Sequence, residues 1–302
     1  MKIYVCIDIG GTAIKHGFLD HKGRLIKQGK MPTQAWQGGP SILKKAVGIV
    51  RDYVRSRDEL LGICISTAGM VDSEKGEIFY ASPLIPNYIG TTFKKTMEET
   101  FGVPCEVEND VNCAGLAECM TGAAKHSSSS LCLTIGTGIG GCAVIGKQVL
   151  HGFTNSACEI GYMHMGDSDF QTLGATSILV KKVAAAKGDQ GGHWHGYRIF
   201  EEAAAGDRIC IEAIEEMIDT LGKGIANICY VLNPQTVVLG GGIMEQGEHL
   251  RARIEKKVKQ YLVPVMAERI EVVVAKHKNS AGMMGAFYHF LQKHPNAEVI
   301  ID

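Results

Sequence analysis

The sequence predicts an α/β protein built from two related halves, and three observations carry that reading. A pattern of strand, glycine turn, strand, turn, strand occurs twice, first from residue 3 and again from residue 131. Short apolar runs of strand length alternate with stretches of helical spacing along the whole chain. Finally, 302 residues is long for a single core and suits two domains of about 150.

Residues 3–9 form the first strand, and Gly10-Gly11-Thr12 a tight turn that only glycines would permit. Residues 13–19 and 24–29 read as two more strands, joined at Asp20-His21-Lys22-Gly23. Ile42, Leu43, Ala46, Val47, Val50 and Val54 then fall at helical spacing. Residues 60–66 are a buried strand that ends at Thr67-Ala68-Gly69, followed by a turn at 72–76 and a helix at 93–101. Residues 103–107 make a short strand and 112–120 a helix, so Glu108-Asn109-Asp110 sits where a strand ends and a helix begins.

In the second half, residues 127–130 read as a polar linker and 131–135 as a strand. The glycine turn 136–141 leads into strand 142–145, and Gly146-Lys147 turns the chain into 148–150. Helices follow near 175–186 and 208–232, then strand 236–239 running into Gly240-Gly241-Gly242. A helix near 248–261, a strand at 270–274 and a last helix at 281–291 complete the chain.

Composition excludes several classes. An apolar content of 45% and a charged content of 21% are those of an ordinary soluble globular protein. A net charge of -1 with no block of like charges gives no reason to expect nucleic acid or membrane as a partner. No apolar stretch reaches the roughly 18 residues of a membrane span, and the N-terminal run is broken by Asp8, so a cytoplasmic protein is expected. Ten cysteines lie mostly inside apolar patterns without a C-x-x-C pair and read as reduced core thiols.

Helix starts gather free backbone N–H groups and suit anionic chemistry, although an ordinary N-cap would by itself explain one aspartate at Asp110. Gly136, Gly138 and Gly141 satisfy G-x-G-x-x-G, but that dinucleotide fingerprint requires a helix next, and Cys142-Ala143-Val144-Ile145 is a strand. Bare N–H groups in such a turn still make an anion nest. Asp8 suits a magnesium ion held through water, or caps the turn. Lys15 approaches phosphate or is solvated. Gly240 to Gly242 offers a flat surface for a nucleoside, or is a plain strand-to-helix turn.

Asp8-Ile9-Gly10-Gly11-Thr12, Glu108-Asn109-Asp110-Val111-Asn112, Gly136 to Gly141 and Gly240 to Gly242, in this order and spacing, resemble the ROK family of sugar kinases and repressors. The resemblance spans nearly the whole chain. It implies the duplicated actin-like ATPase (ribonuclease H-like) α/β fold, with ATP and Mg2+ bound between two lobes and sugar at the base of the cleft. Residues 1–118 would form one lobe, with 281–302 packing back on it, and 119–280 the other. Asp110 would be the base that takes the proton of a sugar hydroxyl as it attacks the γ-phosphate. Gly69, Asn87, Asn109, Glu159 and Tyr162 would contact the sugar; Asp8, Gly10, Gly11, Thr12, Lys15, Gly136, Thr137, Gly138, Gly140, Gly240, Gly241 and Gly242 would hold the nucleotide and its metal. A homodimer is also implied.

One departure carries information. Many members have E-x-G-H followed by three cysteines that hold a structural zinc beside the sugar; this chain has Glu159-Ile160-Gly161-Tyr162 and no cysteine between Cys158 and Cys210. Zinc of that type is therefore not expected. His164 and the pair His193 and His195 read as loop imidazoles, because two histidines without carboxylate or thiolate make a thin ligand set. Glu159-Ile160-Gly161-Tyr162-Met163 is similar to the zinc-free β-glucoside kinases, which phosphorylate the 6-hydroxyl of a glucose unit bearing a β-linked substituent, as in cellobiose or gentiobiose. Glucokinase and N-acetylmannosamine kinase are the competing activities. A sugar-sensing repressor would need a helix-turn-helix domain ahead of the first strand, and the strand begins at residue 3; a filament or chaperone ATPase would need large insertions.

Overall fold

Strand β1 (Lys2–Ile9) is buried from Ile3 to Ile7 without alternation, as a strand covered on both faces must be. The computed structural model describes residues 1–54, 58–189 and 191–297. In it the chain separates into two compact units: Met1–Met120 with His151–Ala157 and the residues from Asn279 onward, and Thr121–Leu150 with Cys158–Lys278.

In the first unit β1 is followed by β2 (Ala13–Asp20), β3 (Leu25–Pro32), helix α1 (Gly38–Val54) and β4 (Glu59–Thr67). A short hairpin, β5 (Met70–Asp72) and β6 (Glu77–Tyr80), precedes α2 (Phe93–Phe101), β7 (Cys105–Asn109) and α3 (Asp110–Met120). The sheet order is β3-β2-β1-β4-β7, antiparallel among the first three strands and parallel from β1 onward. Ile42, Ala46, Ile49, Val50 and Tyr53 bury one face of α1 against Ile3, Val5, Ile63 and Ile65. The hairpin escapes the sequence pattern because its strands are three and four residues long. The turn after β1 is closed by the Gly10 N–H donating to the Ala13 carbonyl at 3.1 Å. Neither Gly10 nor Gly11 has a positive φ, and a Cβ on Gly11 would meet nothing within 4 Å. The expectation that only glycine could make this turn is therefore corrected: its backbone is ordinary, and it is propped by Thr33, whose Oγ1 donates to the Gly10 carbonyl at 2.6 Å.

The second unit holds β8 (Ser129–Ile135), β9 (Ile139–Ile145), β10 (Gln148–Val149) and the small pair β11 (His164–Met165) and β12 (Ser168–Asp169). Helices α4 (Phe170–Gly174), α5 (Thr176–Ala186), α6 (Gly196–Ala204) and α7 (Arg208–Leu232) come next. Then follow β13 (Thr236–Gly240), α8 (Glu248–Tyr261), α9 (Pro264–Ala267) and β14 (Glu271–Val274). The sheet order, β10-β9-β8-β13-β14, reproduces that of the first unit strand for strand. The polar linker expected at 127–130 is corrected, since Ser129 and Ser130 belong to β8. Their polarity is absorbed locally: Ser127 and Thr236 hydroxyls meet at 2.6 Å, the Ser128 N–H donates to Gln235 Oε1 at 3.0 Å, and Gln235 N–H donates to Ser129 Oγ at 3.1 Å.

The last helix, α10 (Ala281–Lys293), packs on α3, β4, β1 and β7 of the first unit. Phe287 and Phe290 stand edge-on to Tyr4, with ring centroids 5.3 and 5.4 Å away. Two glycines let the helix come this close: a Cβ on Gly285 would lie 1.8 Å from the Cys113 carbonyl, and one on Gly282 2.3 Å from the Asp8 carboxyl carbon. None of the ten cysteines is in a disulfide. Burial pushes Cys64, Cys105 and Cys113 well above the usual thiol range, which keeps them protonated and inert.

Candidate active site

Strand β7 delivers Glu108 and Asn109 to the start of α3, whose first residue is Asp110. Asn109 caps the helix, since its Oδ1 accepts the N–H groups of Val111 at 2.9 Å and Asn112 at 3.0 Å. Its Nδ2 donates to the Gly69 carbonyl at 2.9 Å and to Asp110 Oδ1 at 3.1 Å, and the Val111 N–H donates to the same Oδ1 at 3.0 Å. Asp110 is thus held in one orientation by the cap of its own helix. Glu108 lies beneath: its Oε1 accepts the Asn109 N–H at 2.7 Å, and its Oε2 receives His151 Nε2 at 2.5 Å. Burial works against this carboxylate, but the His151 hydrogen bond, the nearby histidines and the Asn112 amide bring it below the ordinary glutamate value.

Asp8 stands at the head of β1, where Ser66 Oγ donates to its Oδ1 at 2.8 Å and Lys15 Nζ lies 3.5 Å from Oδ2. Strand register dictates both contacts, because Asp8 pairs with Lys15 on β2 and with Ser66 on β4. One carboxylate beside bare turn backbone fits a magnesium ion that keeps most of its waters. Thr12 offers its carbonyl to the Thr33 N–H at 3.0 Å. Asn87 is exposed, with φ 52°, on the loop whose Tyr88 hydroxyl meets Thr67 Oγ1. The structure therefore joins Gly69, Asn109 and Asp110 by hydrogen bonds, and joins Asp8 to Lys15.

In the second unit a cavity of about 520 Å³ is lined by Gly136, Thr137, Ser177, Trp194, His195, Tyr197 and Gly242, among others. Ser177 Oγ donates to the Thr137 carbonyl at 2.6 Å, and the Gly136 N–H closes the turn on the Gly138 carbonyl at 2.9 Å. The Arg198 guanidinium lies 4.5 Å from the Trp194 ring centroid and stiffens that wall. A Cβ on Gly136 or Gly242 would meet nothing of the protein within 4 Å, so both present bare backbone to the cavity. Other predicted glycines have structural work. Gly140 pairs with Thr134 in the sheet, as does Gly240; a Cβ on Gly138 would lie 2.7 Å from Gln171 Oε1. Gly241 has φ +92°, with the Ile135 carbonyl oxygen 2.2 Å from where a Cβ would be.

Glu159 precedes the short 3-10 turn Ile160–Tyr162, and burial raises its pKa. Tyr162 is 50% exposed. His193 is held by Asp189, Nδ1 to Oδ1 at 3.0 Å, while His195 Nδ1 accepts the Arg198 N–H at 3.4 Å and caps α6. Among the described residues no three His, Cys, Asp or Glu stand close enough to hold a metal ion. Sequence reasoning missed Ser66, Ser177, Trp194, His151 and all of α6; strand register could have indicated Ser66, Ser177 and His151 meet partners distant in sequence, and α6, just after Trp194, opens on a glycine under a histidine cap.

A family model described as "ROK family" matches residues 4–293. An uncharacterized protein of Clostridium perfringens is 46% identical over 96% of this chain and 98% of its own length. A β-glucoside kinase of Klebsiella pneumoniae is 32% identical, covering 97% of each chain. Among solved structures, a ROK family glucokinase of Streptomyces griseus in complex with glucose and AMPPNP superposes with a TM-score of 0.80 at 25% identity, over 94% of this chain and 97% of that one. The fold is the duplicated α/β fold of the actin-like ATPases.

Proposed function

The chain belongs to the ROK family and is a sugar kinase, and from that premise we propose that it transfers the γ-phosphoryl group of ATP to the 6-hydroxyl of a glucose unit in β-glucosides such as cellobiose or gentiobiose. The orientation of Asp110 carries the reading. Asn109 Nδ2 and the Val111 N–H both point at Asp110 Oδ1, so the carboxylate is fixed before substrate arrives. Phosphoryl transfer asks for positioning and charge neutralisation more than for covalent help, and a general base contributes about 10² to 10⁴ in rate. Asp110 takes the hydroxyl proton, the sugar oxygen attacks phosphorus, and ADP leaves. Gly69, Asn87, Asn109, Glu159 and Tyr162 bind the sugar; carbonyls and carboxylates accept from hydroxyls while the amides also donate.

The open backbone at Gly136 and Gly242 and the aromatic wall of Trp194 and Tyr197 suit phosphates and a nucleoside. Gly10, Gly11, Thr12, Lys15 and Asp8 meet the phosphates and their metal; a magnesium ion at Asp8 supplies neutralisation of phosphate charge. The β-glucoside preference is supported by the likeness to the Klebsiella kinase. Tyr162 supports it too, an exposed aromatic ring where the zinc-bound histidine would stand and suited to packing on a pyranose. A glucokinase activity is the second reading, favoured by the likeness to the Streptomyces enzyme. The protein acts as a cytoplasmic homodimer in this reading.

ADP release with Mg-ATP over glucose, cellobiose, gentiobiose, a phenolic β-glucoside and N-acetylmannosamine decides between them, with Asp110→Asn as control. Turnover concentrated on the β-linked sugars is expected. Turnover mainly on free glucose would keep the kinase and remove the β-glucoside assignment; activity on none of the sugars would favour a sugar-sensing regulator.

A further inference from the structure

Glu108 is 1% exposed, and both of its oxygens are committed. Oε1 accepts the Asn109 N–H at 2.7 Å and Asn112 Nδ2 at 3.1 Å. Oε2 receives His151 Nε2 at 2.5 Å and faces His289 Nδ1 at 3.6 Å. A buried carboxylate needs a paired cation, because an uncompensated charge in the interior is strongly destabilising. Of the two imidazoles, His289 is 3% exposed with its Nε2 unpartnered, and burial lowers its pKa, so it remains a neutral wall. His151 is 27% exposed, and its direct bond to Glu108 raises its pKa, so of the two imidazoles it is the one that supplies the countercharge when protonated. It is carried by His151–Ala157, the stretch that joins the first unit although its chain neighbours belong to the second. The Ala157 N–H donates to the His151 carbonyl at 3.1 Å, and Ser73 Oγ to Asn155 Oδ1 at 3.4 Å, which pin the stretch in place.

We propose that His151 is a positioning residue for Asp110: protonated and bonded to Glu108, it keeps that carboxylate charged and aimed at the Asn109 N–H, while Asn109 orients Asp110. The relay rests on the reading of Asp110 as general base. It has a pH signature. The groups facing His151 are Glu108 on β7, His289 and Lys293 on α10 and Glu74 in the turn between β5 and β6; Glu106 bears on His289. The hydrogen bond to Glu108 raises His151 above the ordinary imidazole value, against desolvation and Lys293. The brace is therefore complete below the ordinary imidazole pKa and is lost as pH rises through the raised, folded value.

The test uses the full chain: kcat and KM for sugar and ATP across about pH 6 to 9, in wild type, H151Q, E108Q, the double variant and D110N. In H151Q we expect kcat to fall about ten-fold, KM for ATP to stay within about two-fold, and the alkaline limb of the wild-type profile to vanish. The double variant should recover part of that kcat, since the amide oxygen introduced by E108Q still accepts the Asn109 N–H and needs no cation. Imidazole NMR of the wild type is an independent readout: His151 should titrate above the ordinary histidine range. Wild-type kcat and profile in H151Q while D110N is inactive would overturn the inference, as would His151 titrating at or below the ordinary value, a result that stands even if H151Q does not fold. Activity retained in D110N would instead overturn the general-base assignment.

Discussion

The two sheets share a strand order but set opposite chemistry at the head of the central strand. In the first unit Asp8 on β1 lies across from Lys15 on β2 and Ser66 on β4. The matching residue of the second unit, Thr134 on β8, lies across from Gly140 on β9 and Gly240 on β13. Three positions thus carry a carboxylate, an ammonium and a hydroxyl in one unit, and a hydroxyl with two missing side chains in the other. One backbone frame carries a polar side-chain cluster in the first unit and two paired strand glycines in the second, and three residues decide which. In the proposed reading, Asp8 and Lys15 of the first unit meet the ligand with charge, and Gly136 and Gly242 of the second with bare backbone.

The largest test of that division falls on the first unit. Asp110→Asn should lower kcat by about 10² to 10⁴ and leave ATP binding by calorimetry and the unfolding midpoint unchanged; a comparable loss of ATP affinity would erase the division of labour. In the second unit, Gly241→Ala forces an L-residue to φ +92° against the Ile135 carbonyl. It should cost about 1–3 kcal/mol in backbone strain, read as a lower denaturation midpoint together with weaker ATP binding. Ser177→Ala removes the bond to the Thr137 carbonyl; the net worth of a hydrogen bond, about 0.5–1.5 kcal/mol, predicts KM for ATP raised by about two- to ten-fold with kcat unchanged. Gly11→Ala is the mildest for the fold: with nothing within 4 Å of the new methyl, stability should stay within about 0.5 kcal/mol. A fall in turnover there without a change in melting would place ligand, not protein, against that glycine.

Regular elements with strong periodicity were readable from the sequence. Helices α2, α7 and α8 begin and end where their apolar spacing does, and β1 and β4 are apolar runs. The failures have two causes. Ser129 and Ser130 look like a linker until Gln235 and Thr236, over a hundred residues on, turn out to satisfy that stretch. Helix α6 opens with Gly196 under a histidine cap, a start that carries no ordinary signal. At the site, Glu108, Asn109 and Asp110 announced themselves as a polar cluster at a strand end, and the hydrogen bonds among them are local. His151 and His289 reach Glu108 from other elements, and no local pattern encodes a distant countercharge. Bare glycines were visible in number but not in purpose: the same residue type serves open surface at Gly136 and tight packing at Gly241.

Helix α10 has a consequence for how the protein is made. The ribosome delivers the first sheet early, yet the aromatic cover that Phe287 and Phe290 place on Tyr4 arrives only after the whole second unit, each such ring contributing about 1.5–3 kcal/mol when fully buried. The second unit, by contrast, has all its strands and helices once Lys278 has emerged. During synthesis the N-terminal sheet must therefore wait with an apolar face uncovered, and the half translated first is the half completed last.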